Sequence, residues 1–94
     1  MNPPRREDCK NVTIHFTGGR TCCLMLDPET YGAFLNEIDC YQHNAQDLVF
    51  MSLNSWEYQY KLETIGQDSC YEFLGLYVCR VNISQIIYIA TWEN

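Results

Sequence analysis

Basic residues are scarce in this 94-residue chain: six Lys and Arg stand against twelve Asp and Glu, for a formal net charge of −6. The resulting pI is about 4.6. Such a balance excludes an electrostatic binder of nucleic acid or of an anionic membrane, since those surfaces are held by a basic face that releases counterions. Long hydrophobic runs are missing as well. Stretches such as Ile86-Ile87-Tyr88-Ile89-Ala90 fall far short of the roughly 20 apolar residues a membrane-spanning helix needs. Catalytic signatures are also missing. The chain has no phosphate-cradling G-x-x-x-x-G-K, no G-x-G-x-x-G, no G-x-S-x-G elbow and no H-E-x-x-H, so neither an enzyme nor a cofactor is expected. The length allows one domain and excludes a two-lobed enzyme.

What the chain does have is apolar material. At 47% hydrophobic and 14% aromatic residues, it can build a core and is not a disordered polymer. Its charge is unevenly placed. Residues 1–20 hold Arg5, Arg6, Lys10 and Arg20 against Glu7 and Asp8, a balance of +2. Residues 21–94 hold only Lys61 and Arg80 against ten carboxylates, a balance of −8. Residues 1–10 contain two prolines and five charges and read as a flexible basic arm ahead of a single domain over residues 11–94. They contain no apolar stretch or cleavage site of an export signal, so a cytoplasmic protein is expected. Two sequons, at Asn11 and Asn82, weigh only slightly the other way, being close to what chance supplies.

The order of elements follows from periodicity. Residues 11–17 alternate strictly, with Val12, Ile14 and Phe16 on one face and Thr13, His15 and Thr17 on the other. Gly18-Gly19 supplies a hairpin turn, and residues 20–26 return. Asp27 caps a helix that Pro28 and Glu29 open, and Tyr31, Phe34, Leu35 and Ile38 form its apolar stripe before it fades near Tyr41. Strands are expected at residues 47–53 and 56–62, separated by a turn at Asn54-Ser55. Gly66-Gln67-Asp68 then breaks the pattern, and two more strands are expected at residues 71–81, kinked at Gly75, and 83–92. The order β-β-α-β-β-β-β implies an α+β fold, a mostly antiparallel sheet of five to six strands covered by one helix, with a curled, half-open barrel as the variant. Edge strands in such a sheet want cover, which a homo-oligomer would supply.

Six cysteines, Cys9, Cys22, Cys23, Cys40, Cys70 and Cys79, are read as reduced thiols, because the domain can build a core without staples. A disulfide framework and a small structural zinc site are the alternatives. For zinc, Cys40 and His43 form one C-x-x-H pair, but no second close pair completes four ligands, so no metal is expected. His15 sits among threonines on a polar strand face and reads as structural. Glu57 with Glu63 or Glu72 reads as a solvated carboxylate face rather than a catalytic pair.

Thirteen aromatics are more than a core of this size needs, and Tyr and Trp are good anchors for binding surfaces. In residues 56–62, Trp56, Tyr58, Tyr60 and Leu62 share one strand face, opposite Glu57, Gln59 and Lys61. Two functions fit. The first is a small acidic intracellular protein that inhibits or sequesters a basic, nucleic-acid-binding protein partner without touching nucleic acid or membrane itself. Its contacts would be Glu57, Glu63, Asp68 and Glu72 with Trp56, Tyr58 and Tyr60. In size and charge the chain resembles the anti-defence and anti-CRISPR proteins of phages and the immunity proteins that block nucleases; the resemblance covers composition and no specific residue. The second is a homo-oligomer that binds a small ligand such as a nucleotide, with Arg20, Lys61 and Arg80 as its anion contacts.

Overall fold

A computed structural model describes residues 2–44, 50–60 and 71–92, with the backbone alone described at residues 43, 44 and 60. Lys61, Glu63, Asp68, Cys70 and the break at residues 66–68 lie outside the described residues, as do the side chains of His43 and Tyr60.

The fold is one helix packed on an open, five-stranded antiparallel sheet, as the periodicity predicts. Strand β1 (Lys10–Phe16) buries Val12 and Ile14, the apolar face of the strict alternation. Gly18 and Gly19 follow at φ 85° and 80°, a region in which a Cβ is strained, and the Phe16 amide donates to the Arg20 carbonyl at 2.8 Å to close the turn. Strand β2 (Thr21–Leu26) then pairs β1 from His15↔Thr21 to Lys10↔Leu26.

Helix α1 (Pro28–Asn44) starts where expected and runs one turn further than Tyr41. The Asp27 carboxylate accepts from the Thr30 amide at 2.7 Å and the Thr30 hydroxyl at 3.0 Å. Phe34 is wholly buried, and Tyr31 and Ile38 pack beside it. Leu35, expected in that stripe, is exposed instead. Its position is 100° from Phe34 around the helix, and it lines an open cleft between α1 and β5 instead of the core.

Strand β3 (Phe50–Tyr60) and strand β4 (Tyr71–Asn82) form a long ladder from Phe50↔Asn82 to Tyr60↔Tyr71. The turn expected at Asn54-Ser55 is not made: both residues lie inside β3. Their polar groups are used by the sheet instead, since Ser55 bridges Leu26 and its hydroxyl accepts from the Met25 amide at 3.2 Å. The kink expected at Gly75 is a bulge, in which Leu74 is the extra residue between Glu57↔Gly75 and Tyr58↔Phe73. Asn82 ends β4, its Oδ1 accepting from the Ser84 amide and hydroxyl. Strand β5 (Ile86–Trp92) returns to pair the free side of β1.

The strand order is β4-β3-β2-β1-β5, but β2 and β3 share only the Leu26↔Ser55 bridge. The sheet folds across this seam. Strands two places apart in a flat sheet lie about 10 Å apart, yet the Cys22 sulfur of β2 is 3.9 Å from the Cys79 sulfur of β4. The curl encloses the core: Val12, Ile14, Leu26, Phe34, Leu53 and Val81. Among the described residues, no helix is long and apolar enough to cross a membrane.

Candidate partner-docking clefts around Trp56

Trp56 occupies the position where β3 leaves the core. Only 7% of its surface is exposed, and its indole Nε1 donates to Asp27 Oδ2 at 2.7 Å. Asp27 therefore ties three things together: the end of β2, the start of α1 and the outer face of β3. Partial burial pushes its carboxyl up, but the hydrogen bonds from Thr30 and Trp56 outweigh that and hold it below the ordinary carboxylate value. It remains an anion through the physiological range.

Beyond Trp56 the aromatic row continues as the alternation predicts. The Phe73 ring lies 5.8 Å from Trp56 and 5.8 Å from Tyr58, at tilted and edge-on angles that suit ring quadrupoles. The chain's own N-terminal residues cover part of this row. The Tyr58 hydroxyl donates to the Pro4 carbonyl, and the Arg6 guanidinium lies 3.8 Å from the centre of the Tyr71 ring. Burial raises the Tyr58 phenol above its ordinary value, helped by the nearby Cys9 and Glu7. Cys9 itself is buried at the arm's end, which pushes its thiol to about 11.

Glu57 points the other way. It is exposed on the face that also carries Tyr77, whose hydroxyl donates to Glu57 Oε2 at 2.6 Å. This hydrogen bond to a carboxylate raises the Tyr77 phenol above its ordinary value. Glu72 is exposed and pairs Gln59, on the Glu57 side of the ladder. The ladder thus carries Trp56 and Tyr58 on one face and Glu57 and Glu72 on the other, as the alternation predicts, and Glu57 rejoins Trp56 and Tyr58 along the seam between β2 and β3.

Two open clefts flank Trp56. One, of about 660 Å³, is lined by Asp27, Glu29 and Thr30 at the helix start, by Ser52, Asn54 and Trp56, and by Asn2 and Pro4 of the arm. The other, of about 320 Å³, follows the seam between β2 and β3, with Met25, Glu57, Tyr58, Tyr77 and Trp92 along it. Tyr77 and Trp92 are 58% and 50% exposed. Among the described residues, neither cleft has a Lys or Arg in its lining. No local sequence signal places Glu29, Tyr77 or Trp92 beside Trp56, because only the fold brings them there.

The remaining candidates lie elsewhere. Arg20 and Arg80 both line a third cleft, at the Phe50–Asn82 end of the ladder. Cys40 is half-buried on α1, and no group of three or more His, Cys, Asp or Glu side chains that could hold a metal occurs among the described residues. His15 stacks on Tyr88 across β1 and β5, 4.1 Å between ring centres at 13°. The described cysteines are free thiols, with Cys23 exposed and the others buried or half-buried. No family model matches this chain, and comparison with curated proteins and with solved structures finds no similar protein.

Proposed function

We propose that this protein binds a basic protein partner through the two clefts that flank Trp56, and that by occupying the partner's basic surface it blocks or sequesters a nucleic-acid-binding protein. The observation that carries this reading is the lining of the clefts: Asp27 and Glu29 on one side, Glu57 on the other, and no Lys or Arg among the described residues. A Lys or Arg side chain entering the seam would meet the Glu57 carboxylate and the exposed rings of Tyr77 and Trp92, so charge and cation–π attraction act together. The −8 balance of residues 21–94 adds long-range steering of a basic partner.

Two further features support a docking role. Among the described residues β4 is an edge strand, paired only with β3, and exposes Tyr71, Phe73, Leu74, Tyr77 and Val78. An exposed row of large apolar side chains beside open backbone groups is a surface suited to another chain. Trp56, Glu57, Tyr58 and Tyr77 also share the β3–β4 ladder, whose pairing holds their backbone in place before a partner arrives.

The test is capture of a partner from the source cells on immobilised full-length protein, repeated with Glu29→Lys/Glu57→Lys protein. A partner that elutes with moderate salt, is lost in the double variant and is competed off by nucleic acid supports the reading. Binding indifferent to salt and to both charge reversals overturns it.

A further inference from the structure

At the far end of the β3–β4 ladder the chemistry is reversed. Six Lys and Arg are all the chain contains, and two of them, Arg20 after the Gly18-Gly19 turn and Arg80 on β4, line one cleft of about 480 Å³. No Asp or Glu lines it among the described residues. Arg5 is committed to Glu7 at 2.6 Å and Arg6 to the Tyr71 ring. Arg20 and Arg80 have no carboxylate partner among the described residues. The Arg80 guanidinium lies over the Phe50 ring, 4.8 Å from its centre, which positions the charge without neutralising it.

The polar wall of the cleft offers donors too. Asn82 Oδ1 accepts from the Ser84 amide and hydroxyl, and Gln85 Oε1 accepts from the Thr17 hydroxyl. Each amide oxygen already accepts inside the protein, and each side chain also carries an amide nitrogen that can donate. Phe16, Phe50 and Val81 supply apolar walls. Two guanidinium groups and two side-chain amides lining one cleft suit a group with several acceptor oxygens and more than one negative charge; a single carboxylate would satisfy only one fork. The volume falls in the range of small-ligand sites, several hundred Å³.

We propose that this cleft binds a phosphate monoester carried on a flat ring system, a ligand of the mononucleotide class. Arg20 and Arg80 hold the phosphate, and the apolar wall that Phe16, Phe50 and Val81 form together borders the ring. The site is separate from the Trp56 clefts and does not depend on a basic partner.

Titration calorimetry of the full chain with adenosine 5′-monophosphate tests this. Saturable binding is expected with a Kd at or below about 1 mM. Adenosine, which has no phosphate, should bind about tenfold more weakly, and Arg20→Gln or Arg80→Gln should each weaken the nucleotide about tenfold. Arg5→Gln, at a residue paired with Glu7, should leave binding unchanged. Arg80→Gln also removes the contact on Phe50, so Arg20→Gln in the exposed turn keeps the test decisive if the first variant fails to fold. Absence of saturation by about 5 mM, or a Kd unmoved by Arg20→Gln, overturns the site. Inorganic phosphate binding as tightly as the nucleotide overturns the assignment of a ring-bearing ligand.

Discussion

Replacing Asp27 by Ala tests whether the cap of α1 and the seating of Trp56 are one structural unit. The Asp27 carboxylate accepts from the Thr30 amide, the Thr30 hydroxyl and the Trp56 indole. Losing an N-cap costs about 1 kcal/mol. Leaving the indole N–H of a nearly buried Trp without an acceptor costs about 1–3 kcal/mol more. The sum, about 2–4 kcal/mol, corresponds to a fall in Tm of roughly 10–20 °C for a domain of this size. Urea unfolding followed by Trp fluorescence and by circular dichroism measures it. Trp56→Phe and the double variant complete a cycle, with a coupling of about 1–2 kcal/mol expected for the Asp27–Trp56 bond. Loss below about 0.5 kcal/mol in Asp27→Ala, or coupling near zero, would refute the claim that this contact organises the site.

The same residue gives an acid limb. Asp27 titrates lower in the folded chain than its ordinary value, so its stabilisation is whole above the unfolded carboxyl pKa of about 3.9 and is lost as pH falls through the folded value. Asp27→Asn should flatten that limb in Tm measured between about pH 2 and about pH 6. Phe34→Ala, at the wholly buried centre of the core, should cost about 3–5 kcal/mol in urea unfolding; a loss under about 1 kcal/mol would contradict the packing. Alkylation at about pH 8 should modify exposed Cys23 well before Cys9 and Cys22, whose thiols burial pushes to about 11, leaving about 0.1% thiolate in each. Peptide mass spectrometry reads the order, and modification of Cys9 ahead of Cys23 would contradict it.

Local signals carried much of this fold. Strict alternation in β1, the Gly18-Gly19 turn and the Asp27-Pro28-Glu29 helix start each act within a few residues, and each appears where the pattern places it. Asn54-Ser55 misled because polar pairs end strands only when nothing across the sheet uses them. Here Met25 and Leu26, about thirty residues away, hold the pair inside a strand. The exposure of Tyr77 and Val78 was equally hidden: alternation reports which residues share a face, but β4 runs on past the core, so both faces there meet solvent. The site was partly legible. Trp56, Tyr58 and Glu57 could be assigned to opposite faces from spacing alone. The Asp27–Trp56 bond, the cleft that Arg20 and Arg80 both line and the 3.9 Å approach of Cys22 to Cys79 arise from the folded seam, and no spacing encodes them.

The most direct test of the docking account is the affinity of the captured partner for wild-type and Glu29→Lys/Glu57→Lys protein, each measured at about 50 and 300 mM salt. The account predicts that reversal weakens binding about a hundredfold or more at low salt, and that wild-type affinity falls steeply as salt rises. Equal affinity for the two proteins, unchanged between the two salt concentrations, would contradict it.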